Sequence, residues 1–161
     1  MGSDDSSLME KLDVNLRTAD WFSDGWETRL DTFPMSGGSG LQLYKAQWFN
    51  EDGMGIHFET WITDREMQQK KTRLVMHVLH QDTFPGTRLK RAAFSRPFVK
   101  EARDMIETWK GYKVSNSTMK VFSRDVRFGD DDLIEKLSAE FAKVQQLGSI
   151  VDQILHDEIG V

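Results

Sequence analysis

Between Ile134 and Leu155, apolar residues recur at spacings of three and four: Ile134, Leu137, Phe141, Val144, Gly148, Val151 and Leu155. That period belongs to one face of a helix, and it commits the last quarter of the chain to an amphipathic helix that must bury a long stripe. Leu133, Leu147, Ile150 and Ile154 widen the stripe. Gly148 interrupts it, so one kinked helix and two abutting helices both satisfy the pattern. Asp130-Asp131-Asp132 precede the first turn, where acids suit the positive end of the helix dipole.

A different period fills the middle of the chain. Ile56, Phe58, Thr60 and Ile62 alternate with His57, Glu59 and Trp61, and Leu74, Met76 and Val78 alternate with Arg73, Val75 and His77. Period two marks strands with one buried face. The readings are strands over 55–62 and 72–80, a third over Leu41 to Phe49, and a short one over Trp26 to Thr32. Pro34 and Ser36-Gly37-Gly38-Ser39-Gly40 read as a turn, and polar Thr63 to Lys71 reads as an exposed loop. Strands joined this closely pair antiparallel.

Helical spacing returns at Leu8, Leu12, Leu16 and Ala19, which predicts a helix from Ser7 to Asp20 with Ser7 and Glu10 as a capping box. A further helix is predicted from a Ser95 cap with Pro97 in its first turn and Gly111 as its stop. Its buried stripe would be Phe98, Ala102, Met105, Ile106 and Trp109. Phe98, Met105, Ile106, Trp109, Leu137, Phe141 and Val144 should then be buried together. Thr118 to Phe122 reads as a strand able to continue to Phe128. The order helix–strands–helix–strand–helix predicts an α+β fold, an antiparallel sheet of four to five strands with helices packed on one face. Residues 1–6 read as a disordered acidic tail, and 7–161 as one domain.

Composition narrows the function. The chain has no Cys, which removes disulfides, thiolate metal sites and a cysteine nucleophile. Without Cys or an apolar leader it is expected to be cytoplasmic. Apolar runs of four or five residues are too short for a membrane span. Met1-Gly2-Ser3-Asp4-Asp5-Ser6 matches a myristoylation pattern, but no second membrane signal accompanies it. Neither a phosphate-binding glycine loop nor a hydrolase or zinc-protease motif occurs. Glu59 is followed by Thr60-Trp61 rather than the x-Lys of a restriction-type nuclease site. No enzymatic activity and no cofactor are expected.

Three binding readings remain. Charge is sorted along the chain: from Arg65 to Arg124 there are 14 Lys/Arg against 5 Asp/Glu, and elsewhere 7 against 21. Asymmetry of this kind bears on partners rather than fold. Lys70, Lys71, Arg88, Lys90, Arg91 and Arg96 are candidate contacts for nucleic acid or another anion if they converge on one surface. The broad C-terminal stripe suggests a protein partner or a second copy, with Leu147, Gly148, Val151 and Leu155 as the candidate interface. His57, Glu59 and His77 form a metal site if the strands pair with His57 opposite His77, because two imidazoles and a carboxylate suit a divalent ion. A one-residue slip in register would separate them. A binding module is expected, acting on another protein or on itself, with nucleic-acid association and a metal- or ligand-binding sheet face as alternatives.

Overall fold

The structure, a computed structural model, describes the backbone of residues 2–161 and the side chains of residues 8–161. It is α+β. Helix α1 (Gly2–Arg17) leads into strands β1 (Trp26–Phe33), β2 (Gly38–Lys45) and β3 (Ile56–Ile62). Helix α2 (Asp64–Gln69), strand β4 (Lys71–Val78) and helix α3 (Arg91–Thr108) follow. Strands β5 (Tyr112–Val114) and β6 (Lys120–Arg127) precede helices α4 (Leu133–Val144) and α5 (Gly148–Ile159). The expected tail over 1–6 lies outside the residues described to the level of side chains.

The six strands form one open antiparallel sheet in the order β1-β2-β3-β4-β6-β5. Helices α1, α3, α4 and α5 pack on the face that carries Leu41, Leu43, Ile56, Phe58, Leu74, Met76 and Phe122, all fully buried. The core is aromatic: Trp26 meets Trp48 edge to face with ring centroids 5.2 Å apart, and Trp48 meets Phe58 at 5.8 Å. Such pairs add attraction beyond their buried area. The opposite face of β3 and β4 carries His57, Glu59, Trp61, Arg73, Val75 and His77, and no long helix covers it.

Several expectations need correction. The sheet has six strands rather than four to five, because the short β5 escaped the pattern. Its anchor is Tyr112, buried, whose hydroxyl donates to Glu140 on α4 at 2.9 Å. The segment after β3 is helical rather than a loop. Thr63 and Glu66 form a reciprocal capping box, and Lys70 closes the helix with a left-handed φ of 54°. Helix α3 starts at Arg91, not at Ser95. The Ser95 hydroxyl is spent on a tertiary bond, donated to the Thr118 carbonyl at 2.8 Å, so it caps nothing.

The expected core was right for Phe98, Ile106, Leu137, Phe141 and Val144, all fully buried, but Met105 is 39% exposed and Trp109 only partly buried. The buried stripe of α3 steps by four through Phe94, Phe98, Ala102 and Ile106, so it winds around the helix. Met105 precedes Ile106 by one residue, about 100° around the axis, and falls outside it. The final stripe is carried by two helices joined through a 3-10 turn, Gln145–Leu147.

Candidate metal centre

The register places His57 directly opposite His77 and Glu59 opposite Val75. This is the pairing a metal site requires. Side chains two apart on a strand share a face, so Glu59 stands between the two imidazoles. Glu59 Oε1 lies 3.0 Å from His57 Nε2 and 3.0 Å from His77 Nδ1. The imidazole rings cross at 79°, with centroids 5.5 Å apart. One ligand atom from each residue can be chosen so that all lie within 4.8 Å of one another.

Behind His57 stands a hydrogen-bond relay that fixes its tautomer. The Gln42 amide donates to the Gly53 carbonyl at 3.3 Å, so its oxygen faces Asn50 and accepts from Asn50 Nδ2 at 2.8 Å. That turns Asn50 Oδ1 toward the Gly55 amide, which donates to it at 2.8 Å, and toward His57 Nδ1 at 2.9 Å. An oxygen can only accept, so His57 Nδ1 carries the proton. The lone pair of Nε2 then points at Glu59.

Local sequence explains how the relay is held. Asn50-Glu51-Asp52-Gly53 turns the chain under the open face of β2 and β3. A β-carbon at Gly55 would lie 2.0 Å from the Phe49 carbonyl oxygen, so only glycine permits this closure. Gln42 pairs with Glu59 across β2 and β3, which sets its amide on the same face. Sequence reading took Asn50 for a turn residue only and passed over Gln42. The usable signal was a glutamine between the core-facing Leu41 and Leu43 with an Asn-x-x-Gly turn downstream.

Protonation follows from these surroundings. Burial holds the His57 imidazole below its ordinary pKa, against the pull of Glu59. Burial also opposes ionisation of Glu59, but its contacts with the His57 and His77 imidazoles outweigh burial and hold the carboxyl well below the usual range. A neutral, fully buried imidazole and an ionised carboxylate are the states in which both bind metal. His80 is partly buried, with Nε2 bonded to the Phe49 carbonyl at 3.0 Å; His156 is exposed.

The other predicted residues lie elsewhere. Lys70 and Lys71 sit at the start of β4 and pair with Asp130 at 3.3 Å and Asp125 at 3.9 Å. Arg88, Lys90 and Arg91 follow the far end of that strand, roughly 20 Å away by strand rise. Arg91 donates to the His80 carbonyl at 3.1 Å, and Arg96 lies on α3 in the helical layer. The basic block is thus divided between two ends of the sheet. Leu147, Val151 and Leu155 are fully buried within the chain's own core. A β-carbon on Gly148 would come within 2.8 Å of the Trp26 indole, so close approach at this glycine serves an internal contact.

No helix among the described residues is long and apolar enough to cross a membrane. Compared with family models, with curated proteins and with solved structures, the chain matches none.

Proposed function

We propose that the protein is a metal-binding module that holds one divalent transition-metal ion between His57, Glu59 and His77 on the open face of its sheet. The observation that carries this reading is the 3.0 Å contact of His57 Nε2 with the Glu59 carboxylate, two acceptors when Nδ1 carries the only ring proton. Two lone pairs at that distance repel unless a cation or a proton lies between them. Ligand atoms about 2.0–2.1 Å from a zinc-class ion stand about 3.3 Å apart in a tetrahedron, so a small widening admits the ion. Asn50 acts behind His57 as the outer partners of metal-bound imidazoles do, accepting the hydrogen bond of Nδ1 and fixing the ring. Three protein ligands leave a coordination position for water or for a bound molecule.

The competing account is a proton held at the same contact. Stripping the purified protein with a chelator and titrating Zn²⁺ by calorimetry separates the two, with Co²⁺ as a spectroscopic probe. One ion per chain is expected, with visible absorption typical of a four- or five-coordinate Co²⁺ ion. Glu59→Gln and His77→Ala should each weaken uptake at least about tenfold. Absence of binding at micromolar metal, or binding by both variants as tight as that of the wild type, refutes the proposal. A self-associating module is the second reading, and the free edge of β1 favours it.

A further inference from the structure

The sheet has two edges of unequal character. β5 is three residues long, whereas β1 presents eight, and its ladder partner is β2 alone. Among the described residues, no other segment makes a backbone hydrogen bond to Trp26–Thr32. Half the backbone groups of an edge strand point away from its neighbour and invite another strand. Proteins usually blunt such an edge with charges of one sign or with proline. Here the charges alternate: Glu27, Arg29 and Asp31 share the open face, while Leu30, on the helical face, is 41% exposed.

We propose that β1 pairs antiparallel with β1 of a second copy of this chain, joining the two sheets across a two-fold axis beside Leu30. The register follows from charge. A two-fold axis normal to the sheet brings residues of one face opposite residues of the same face, so the axis must lie beside a residue. Beside Arg29, it opposes Arg29 to itself and Glu27 to Asp31, which repels twice over. Beside Asp31, it opposes that carboxylate to its own copy. Beside Thr28, it pairs Glu27 with Arg29, but only five residues of β1 overlap. Thr28 is also held from α1, by Asp13 and Arg17.

Beside Leu30, seven of the eight residues overlap. Arg29 meets the Asp31 of the second copy, and the reverse pair forms on the other side of the axis. Leu30 packs on Leu30, and Thr28 lies opposite Thr32. Within one chain Arg29 Nε lies 3.2 Å from Asp31 Oδ1 and the guanidinium also donates to the Glu51 carbonyl at 3.0 Å, so bridging to a second carboxylate requires it to leave that carbonyl. The pairing leaves the metal centre two strands away from the junction, and it stands whether or not a metal binds.

The test uses charge reversal on the full chain, by sedimentation velocity from about 1 to 100 µM. Wild type is expected to dimerise in this range. Arg29→Asp and Asp31→Arg should each raise the dissociation constant at least about tenfold, because each sets like charges opposite one another twice. An equimolar mixture of the two variants should restore the dimer, since an acidic edge then meets a basic one. Restoration also shows that both variants are folded. A wild type that stays monomeric at 100 µM overturns the proposal, as do single variants that dimerise like wild type. A mixture that remains monomeric while both variants keep the wild-type circular dichroism overturns it too. A monomer that captures an extended peptide on β1 instead would assign the edge to a different partner and refute the second copy.

Discussion

Removing the Asn50 side chain tests the relay that presents His57. Asn50→Ala deletes three hydrogen bonds at once: to Gln42 Oε1 at 2.8 Å, from the Gly55 amide at 2.8 Å, and from His57 Nδ1 at 2.9 Å. Asn50 and His57 have 1% and 0% exposure, and Gln42 has 5%, so the partners left behind cannot turn to bulk water. Each bond contributes about 1 kcal/mol net, and a stranded buried partner costs about 1–3 kcal/mol. Three bonds, with a water allowed into the vacated space, give a loss of about 3–4 kcal/mol. With a urea slope of about 2 kcal/mol/M, the midpoint should fall by about 1.5–2 M. Asn50→Asp is the informative companion. Its carboxylate still accepts from Gly55 and His57 but sets a buried anion against the Gln42 oxygen, so it should cost at least as much as Asn50→Ala. The assay is urea denaturation in chelator, followed by tryptophan fluorescence, which keeps metal out of the comparison. A loss below about 1 kcal/mol for Asn50→Ala, or an Asp variant as stable as the wild type, would refute the argument that the relay is closed and directional.

Two further predictions address the core and the acid limb of stability. Phe141→Ala, at a fully buried position between α4 and the sheet, should cost about 3–5 kcal/mol by denaturant melts; a loss below about 1 kcal/mol would place Phe141 outside the core. On the open face, Arg73 Nε donates to Asp125 Oδ1 at 2.9 Å, and this bond, with the charges of Arg73 and Lys71, lowers the Asp125 pKa despite slight burial. A carboxyl whose folded pKa is depressed stabilises the fold above its unfolded pKa and loses that contribution as pH falls through the folded value. Both side chains are well exposed, so Arg73→Ala should cost less than about 1 kcal/mol at pH 7. The gap from wild type should begin to close as pH falls below the ordinary carboxyl value of about 4. Melts in which it stays constant or widens would show that Asp125 is not the partner that matters.

Period was the legible part of this chain. Alternation in 56–62 and 72–78 located both strands of the candidate site and put His57 and Glu59 on one face, with His77 joining them in only one of two registers. Register itself was not legible, because a slip by one residue satisfies the same local pattern. It is settled by tertiary contacts, among them Phe58 against Met76 and the threading of Gly38, whose β-carbon would meet the Ile62 carbonyl oxygen at 2.0 Å. β5 was hidden because three residues cannot display a period. Ser95 misled because a hydroxyl beside a helix start looks the same whether it caps the helix or bonds a distant carbonyl. The Asn50 relay was out of reach for a similar reason: its direction is set by the carbonyl of Gly53 and the amide of Gly55, and a backbone group's partner is not written in its residue type. Charge counts located the basic block but not its division, since Lys71 and Arg91 are separated by the length of a strand that neither identifies.

The one-sided layering of the helices gives the two faces of each central strand different evolutionary freedom. Along β3, Ile56, Phe58 and Ile62 answer to the packing of helices and aromatic rings, while Glu59, on the other side of the same backbone, answers to whatever the open face must recognise. A lineage could exchange Glu59, Trp61, Arg73 or His77 and acquire a different ion or ligand without revising the core, because among the described residues no long helix rests on those side chains. His57 is the exception. Fully buried on the open side and fastened to the 50–55 turn, it binds the chemistry of the face to the architecture of the loop, so it and Asn50 would have to change together.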